Sequence, residues 1–271
     1  MPPNALRGAP AVLKEIHGAS QHIVLNRPER LNAIDEAMIG RIVELIEEAR
    51  VDPAVRCLVL RGEGRAFCAG DQIGRTIPEE LGPPDVETRM KTSFVRPVID
   101  LMRLRKPTVA LLHGFALGAG LDMALGCDFR IASSELQIGA PVVQWGLGGA
   151  TAYLLTKYLG VGRATEMLIL GDRIDATRAH ELGLVTSVVQ LEELAAAGNA
   201  LVARLEQAAT ASIGLIKGIR NRSLGAGLVE GFESQVTGSL ELMLLEDPEE
   251  GRRAFAEKRT PKFNGRYRDL D

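Results

Sequence analysis

The sequence predicts an α/β protein with a helical C-terminal region. Through residues 1–190, short apolar runs typical of buried strands alternate with glycine-bearing turns and with amphipathic helical segments. Beyond that point the helical pattern dominates, first at 191–209 and again at 229–247. We therefore expect a core at 1–190 and a helical region at 191–271.

The predicted elements follow one another in a regular order. The segment HIVLNRP (22–28) is an apolar run closed by a proline, which predicts a strand that leads into a turn. The segment 32–50 predicts a helix, and DPAV (52–55) ends it. Its apolar face comprises Ile34, Met38, Ile42, Leu45, Ile46 and Ala49. Branched apolar residues predict further strands at 55–62, 106–114, 128–134 and 184–189.

The composition excludes several classes of protein. With 46% hydrophobic and 25% charged residues the chain is typical of a globular protein, and its net charge of -3 gives no electrostatic case for nucleic acid or an anionic membrane. A basic cluster at 217–222 is expected on a solvated helix face. The three cysteines are too scattered for a disulfide framework or a metal site, so we expect buried thiols at Cys57, Cys68 and Cys127.

No membrane span or secretory signal is expected. The N-terminal residues contain no apolar h-region. The longest apolar stretch, 107–121, contains His113 and three glycines and is too short to cross a bilayer. We therefore expect a cytoplasmic protein.

Two glycine-rich turns follow predicted strands, namely RGEGRAFCAGDQIG (61–74) and HGFALGAGLD (113–122). They do not match the dinucleotide-binding pattern, and no P-loop, G-x-S-x-G or H-E-x-x-H motif occurs in the chain. If a helix begins near Ala119, its first N–H groups lack acceptors and lie at the positive end of the helix dipole. Such N–H groups converging from both turns would form an oxyanion hole, which stabilises charge developing on a carbonyl oxygen.

Five segments, in order along nearly the whole chain, carry a family resemblance. They are LNRPERLNAI (25–34), GEGRAFCAG (62–70), HGFALGAGLDMALGCDFRIAS (113–133), GDRIDATRAHELGLV (171–185) and EGRRAFAEKRTPKF (250–263). Together they resemble the crotonase family, the enoyl-CoA hydratase/isomerase superfamily. The resemblance implies a crotonase-like spiral of ββα units and a C-terminal helical region that builds a homotrimer or a dimer of trimers. It also implies an acyl-CoA substrate, which carries coenzyme A itself, so no separate cofactor and no metal are expected.

The resemblance also implies the functional positions. The oxyanion hole would use the backbone N–H groups of Ala69 and Ala119, and Asp122 would be the acid/base group. Phe255 would stack on the adenine and Lys258 would meet the ribose 3′-phosphate of a CoA held mainly by a neighbouring subunit. The full set of expected ligand contacts is Leu31, Ala33, Ala69, Gly70, Asp71, Gln72, Ile73, Gly118, Ala119, Phe255 and Lys258.

Hydratases of this family pair two glutamates, and this chain differs at both positions. Asp122 occupies the first position, with a side chain one methylene shorter than glutamate. Val142 occupies the second, and valine neither donates nor accepts a proton. The resemblance therefore implies an enzyme on an enoyl- or acyl-CoA thioester with Asp122 as its single acid/base, by isomerisation or by hydration. The alternative is a CoA-thioester binding protein with little or no catalysis.

Other residues have simpler expected roles. Asp128 is expected to cap or brace the strand that follows it, and His113 to make a structural hydrogen bond. Trp145 is expected to pack in the core, with a place beside the acyl pocket as the alternative. The segment 74–94 either covers a pocket or forms an ordinary surface excursion.

Overall fold

The computed structural model describes residues 9–72, 95–146 and 151–268. Within them a six-stranded sheet contains, in spatial order, β1 (Val12–His17), β2 (Ser20–Leu25), β3 (Cys57–Gly62), β4 (Thr108–Leu112), β6 (Phe129–Ser133) and β9 (Ser187–Val189). β1 is antiparallel to β2, and the other neighbours are parallel. A three-stranded sheet contains β5 (Phe115–Leu117), β7 (Gln137–Gly139) and β8 (Ile174–Asp175).

The helices cover the sheets and form the C-terminal region. They are α1 (Glu36–Val51), α2 (Arg96–Arg103), α3 (Ala119–Gly126), α4 (Ala152–Leu170), α5 (Ala176–Glu181), α6 (Leu194–Gln207), α7 (Thr210–Ser223), α8 (Leu228–Met243) and α9 (Asp247–Ala256). Short 3-10 helices occupy Pro28–Arg30, Pro141–Trp145 and Leu191–Glu193. Among the described residues, no helix combines the length and apolarity that a membrane span needs.

Every strand and helix that the sequence pattern predicts is present. All six residues of the predicted apolar face of α1 are buried. That helix begins four residues later than predicted, because the Asp35 side chain accepts a hydrogen bond from the Met38 N–H and caps it. The pattern did not predict β1, the short strands of the small sheet, or α2, α4, α5 and α9, and of α7 it indicated only the part at 217–222. Strands of two or three residues are too short to show a period.

The large sheet is buried on both faces. Along β3, Leu58 and Leu60 face one hydrophobic cluster with α1, whereas Cys57 and Val59 face a second cluster with α6. The helix that directly follows the predicted boundary at residue 190 therefore packs on the strands of the core. All three cysteines are buried and free, as predicted.

After β3 the chain passes repeatedly from one sheet to the other. β4 of the large sheet leads into β5 of the small one, and after α3, β6 leads into β7. The turn after β3 takes part as well, because Cys68 forms a parallel bridge with Ala116 of β5. This alternation is the ββα repeat that the family resemblance implies, and it brings the two glycine-rich turns together.

Two side chains differ from their expected environments. Lys217, expected on a solvated face, is 4% exposed, and its ammonium lies 2.6 Å from the Asp128 carboxylate. Asp128 also accepts hydrogen bonds from Thr108, so it braces the start of β4 and links it to α7. Trp145 is 61% exposed, so the prediction of core packing is wrong.

We expect the Lys217–Asp128 pair to be essential for stability. Lys217→Ala leaves the Asp128 carboxylate buried without its buried lysine partner, so the free energy of unfolding should fall by about 3–5 kcal/mol. Arg41→Ala, which removes exposed ion pairs to Glu44 and Glu48, is the control and should cost under about 1 kcal/mol. Urea denaturation measures both, and equal losses in the two variants would contradict the assignment.

Candidate active site

The two glycine-rich turns are joined through the backbone of Cys68. Its N–H donates to the Phe115 carbonyl at 2.8 Å, and its carbonyl accepts from the Leu117 N–H at 3.0 Å. Gly120, in the first turn of α3, packs directly against this residue. A Cβ at Gly120 would lie 2.7 Å from the Cβ of Cys68, closer than carbon atoms can approach. The contact therefore requires glycine and fixes the start of α3 against the other turn.

Asn32, which is fully buried, attaches the loop before α1 to the first glycine-rich turn. Its side-chain amide donates to the carbonyls of Glu63 and Ala66 at 2.9 and 2.8 Å, and its Oδ1 accepts from the Arg27 N–H at 2.7 Å. Leu31 and Asn32 both adopt left-handed backbone conformations to reach this arrangement. Sequence analysis did not single out Asn32.

The loop and the first turn then pair residue by residue. The Ile34 N–H donates to the Gly70 carbonyl at 2.8 Å, and the Gln72 N–H donates to the Ile34 carbonyl at 2.9 Å. Leu31 and Ala33, predicted to bind CoA, thus lie beside the predicted segment 69–72. The predicted contact Ile73 and the segment 74–94 lie outside the described residues.

The Ala69 N–H, predicted as one donor of the oxyanion hole, has an acceptor within the protein. It donates to the Leu31 carbonyl at 2.9 Å, so it is not available to a ligand in this structure. The Gly70 N–H lies 3.4 Å from the Cys68 sulfur, and the Gln72 N–H has the bond given above. The Asp71 N–H has no acceptor among the described residues. In this turn, the backbone N–H that remains available to a ligand among the described residues is therefore that of Asp71, two residues after Ala69.

The second predicted donor, the Ala119 N–H, has no acceptor among the described residues. Ala119 is the first residue of α3, so no helical carbonyl lies within its reach. The preceding residue, Gly118, donates to the Gly139 carbonyl at 3.0 Å. A Cβ built on Gly70 would lie 3.8 Å from the Ala119 nitrogen. The unsatisfied N–H groups of Asp71 and Ala119 therefore belong to backbone segments in direct contact.

Asp122 lies one helical turn after Ala119. Its Oδ2 accepts a hydrogen bond from the Thr151 N–H at 2.8 Å, and the residue is partly exposed. The pKa of Asp122 is raised to about 7, chiefly by burial and also by the nearby Asp71, against the lowering effect of the Thr151 N–H. No described cation pairs with the carboxyl group. Asp122 thus has the chemistry of an acid/base group near neutral pH.

Asp71 is a second carboxyl at this site, whereas the sequence predicted it only as a ligand contact. Its Oδ1 is buried and has no hydrogen-bond partner among the described residues. Burial raises the pKa of Asp71 to about 6. The signal in the sequence was its place directly after Gly70, in a turn already expected to bind a carbonyl oxygen.

The remaining predicted residues are less closely associated with the site. Val142 lies partly exposed in the 3-10 helix Pro141–Trp145. Phe255 is 88% exposed at the end of α9, and Lys258 is exposed two residues beyond that helix. No hydrogen bond or ion pair among the described residues links Phe255 or Lys258 to Asp122 in the same chain. His113 has the expected structural hydrogen bond, 3.0 Å from the Gly64 carbonyl.

Comparisons with known proteins identify the family. A family model described as enoyl-CoA hydratase/isomerase matches residues 15–266. The 1,2-epoxyphenylacetyl-CoA isomerase of Escherichia coli is 31% identical over 94% of this chain and 98% of its own length. The (E)-benzylidenesuccinyl-CoA hydratase of Thauera aromatica is 32% identical over 94% of this chain and 99% of its own length.

A solved structure supports the same conclusion for the fold. An enoyl-CoA hydratase from Bacillus anthracis superposes with a TM-score of 0.88 at 26% identity, covering 95% of this chain and 100% of that chain. The predicted crotonase fold class is therefore confirmed. The chain belongs to the enoyl-CoA hydratase/isomerase family and is an enzyme of that type, acting on a CoA thioester.

Proposed function

We propose that this enzyme stabilises the enolate of an enoyl-CoA thioester, with Asp122 as acid/base. The thioester oxygen would accept hydrogen bonds from the Asp71 and Ala119 N–H groups. The observation that carries the proposal is the presence of two unsatisfied N–H groups on segments in contact, with an unpaired carboxyl one helical turn away. The geometry favours Asp71 over Ala69 as the first donor.

The simplest reaction with one carboxylate is a double-bond shift. The thioester acidifies the proton on C2, and the ionised Asp122 removes it from a 3-enoyl-CoA. The electron pair delocalises onto the thioester oxygen, where the two N–H groups stabilise the charge. Asp122 then returns the proton to C4, which gives the 2-enoyl isomer and restores the carboxylate. A base with a pKa near 7 suits this cycle, because it both accepts and releases a proton at neutral pH.

We also propose that the helical region mediates self-association into a homotrimer or a dimer of trimers. One face of α8 carries large apolar side chains at spacings of three and four residues, each more than half exposed: Val229, Phe232, Val236, Leu240 and Met243. A partner subunit covering this face would remove them from water. The same association would bring Phe255 and Lys258 towards a neighbouring active site.

The acid/base role is tested by Asp122→Asn, which retains an oxygen to accept the Thr151 hydrogen bond but cannot take a proton. Turnover should fall by roughly a hundredfold or more while CoA binding persists. The assays are hydration of crotonyl-CoA, isomerisation of a 3-enoyl-CoA, and the same reactions on aromatic enoyl-CoA esters, which the E. coli and Thauera relatives suggest. Glu63→Gln, which changes a carboxyl of the other glycine-rich turn, is the control.

Full activity of Asp122→Asn would make this residue structural. Binding of every thioester without turnover by the native enzyme would instead support the alternative of a binding protein.

The oxyanion hole is tested at Ala119, because proline removes the N–H and is tolerated at the first position of a helix. Ala119→Pro should lower kcat/KM by about a hundredfold to a thousandfold through loss of one donor. Ala119→Ser keeps the N–H and should retain activity within about tenfold of the native enzyme. Similar activity of the two variants in steady-state assays would exclude the Ala119 N–H from the mechanism.

The C-terminal contact is tested with two ligands that differ by one phosphate. Lys258→Ala should weaken CoA binding by about 1–3 kcal/mol, an effect that fades at high salt, and should leave dephospho-CoA binding nearly unchanged. Isothermal titration calorimetry measures both affinities, and Arg252→Ala is the control for loss of a nearby exposed charge. An equal loss for both ligands, or no loss for either, would contradict the 3′-phosphate contact.

A further inference from the structure

The position that usually supplies the second carboxyl of a hydratase is filled by Val142, yet the site holds a second carboxyl from a different segment. Asp71 directly follows Gly70 in the first glycine-rich turn, which pairs with β5 through Cys68. Asp122 lies one helical turn after Ala119 in α3. These segments approach each other closely at Gly70 and Ala119. The two carboxyls are near enough that the charge of Asp71 raises the pKa of Asp122.

We propose that Asp71 is the second acid–base group of this site, and that with Asp122 it enables the enzyme to add water to a 2-enoyl-CoA thioester. The inference rests on the proposed function, since it requires the enolate to form between the Asp71 and Ala119 N–H groups. It assigns to this chain a two-carboxyl site built from a turn residue and a helix residue.

The environment of Asp71 is unfavourable for a purely structural carboxyl. Its Oδ1 is buried with no hydrogen-bond partner among the described residues, which costs folding free energy. By contrast, Asp128 contacts Lys217, Arg220 and Thr108. Asp247, whose Oδ2 also has no partner among the described residues, is held through two N–H groups at its Oδ1. A buried carboxyl without such partners beside an oxyanion hole is typical of a functional acid.

Among the residues that the structure describes, the charged and titratable groups around the pair provide no counterion. The Cys68 thiol belongs to the same turn, and burial raises its pKa to about 12, so it is neutral at physiological pH. Arg27 is engaged with Asp35 and with the Gln72 side chain. Among the described residues no cation influences either carboxyl, whereas Asp71 itself raises the pKa of Asp122. The two carboxyls therefore favour a state in which they hold one proton between them.

A pair of carboxyls that holds one proton provides both the base and the acid that hydration requires. The ionised carboxyl takes a proton from water as the water oxygen bonds to C3, and the electron pair of the C2–C3 double bond moves onto the thioester as the enolate. The protonated carboxyl then donates its proton to C2, which gives the 3-hydroxyacyl-CoA. The pair still holds one proton, now on the other member, and exchange with solvent restores the starting state.

The pair can be tested in the free enzyme, without a substrate, by carbon-13 NMR titration of labelled aspartate carboxyls. In the native enzyme the two carboxyls should titrate near pH 6 and 7. Asp71→Asn should lower the midpoint of Asp122, because it removes a negative charge that is present when Asp122 titrates. A midpoint of Asp71 near 4, or an unchanged midpoint of Asp122 in Asp71→Asn, would overturn the pairing whatever the enzyme does to CoA thioesters.

Kinetics then separate the side chain of Asp71 from its N–H. Asp71→Asn keeps the N–H, so hydration should fall by roughly a hundredfold while isomerisation, which needs one base, changes by less than about tenfold. The native pH profile should be bell-shaped for hydration, since one carboxyl must be ionised and the other protonated, and should only rise with pH for isomerisation. Asp71→Glu should restore part of the hydration, and Glu63→Gln should leave both reactions unchanged.

The outcomes distinguish this inference from the proposed function. Unchanged hydration in Asp71→Asn, or an equal loss of both reactions, would overturn the role of Asp71 while the oxyanion hole and Asp122 stand. A native enzyme that isomerises but never hydrates would do the same. A native enzyme with no turnover on any thioester of the panel would overturn the proposed function itself, and the NMR titration would still decide the pairing.

Discussion

The backbone pairing of Cys68 with β5 is the constraint on which the active site depends. The Cys68 N–H donates to the Phe115 carbonyl, and the Cys68 carbonyl accepts from the Leu117 N–H. These two hydrogen bonds hold together two turns that are far apart in sequence. Gly120 allows the helix to begin in contact with Cys68, where any Cβ would collide. This close approach places the Asp71 and Ala119 N–H groups on neighbouring backbone segments. The glycines are therefore required for backbone proximity, and the start of α3 leaves the Ala119 N–H without an acceptor among the described residues.

The distribution of backbone acceptors decides which N–H groups remain for a ligand. Asn32 anchors the loop before α1, and this loop supplies carbonyls to Ala69 and Gln72. Asp71 lies between Gly70 and Gln72, and its N–H has no acceptor among the described residues. Loop carbonyls thus engage two of these four consecutive N–H groups and the Cys68 sulfur engages the third, whereas Asp71, which keeps its N–H, also carries a carboxyl.

Asp128 and Asp122 illustrate how the partners of a largely buried carboxyl differ between two environments. Asp128 is buried with a lysine, an arginine and a threonine, and it links a strand to α7. Asp122 has one backbone N–H partner and a second carboxyl nearby, and burial moves its pKa towards neutrality. The first set of partners ties the carboxylate into the fold. The second environment disfavours the charged form of Asp122 and moves its pKa into the neutral range.

Local sequence determined much of this protein. Apolar periodicity located α1 and five strands of the large sheet, because side chains on one face of an element must be buried together. The family motifs located both turns, Asp122 and Ala119. Only the tertiary structure decided that Ala69 donates to Leu31, that Lys217 is buried, and that the Asp71 N–H and Oδ1 have no partner in the part of the chain that the structure describes. Hydrogen-bond partners and desolvation depend on residues distant in sequence, and no local pattern records which groups the fold brings together.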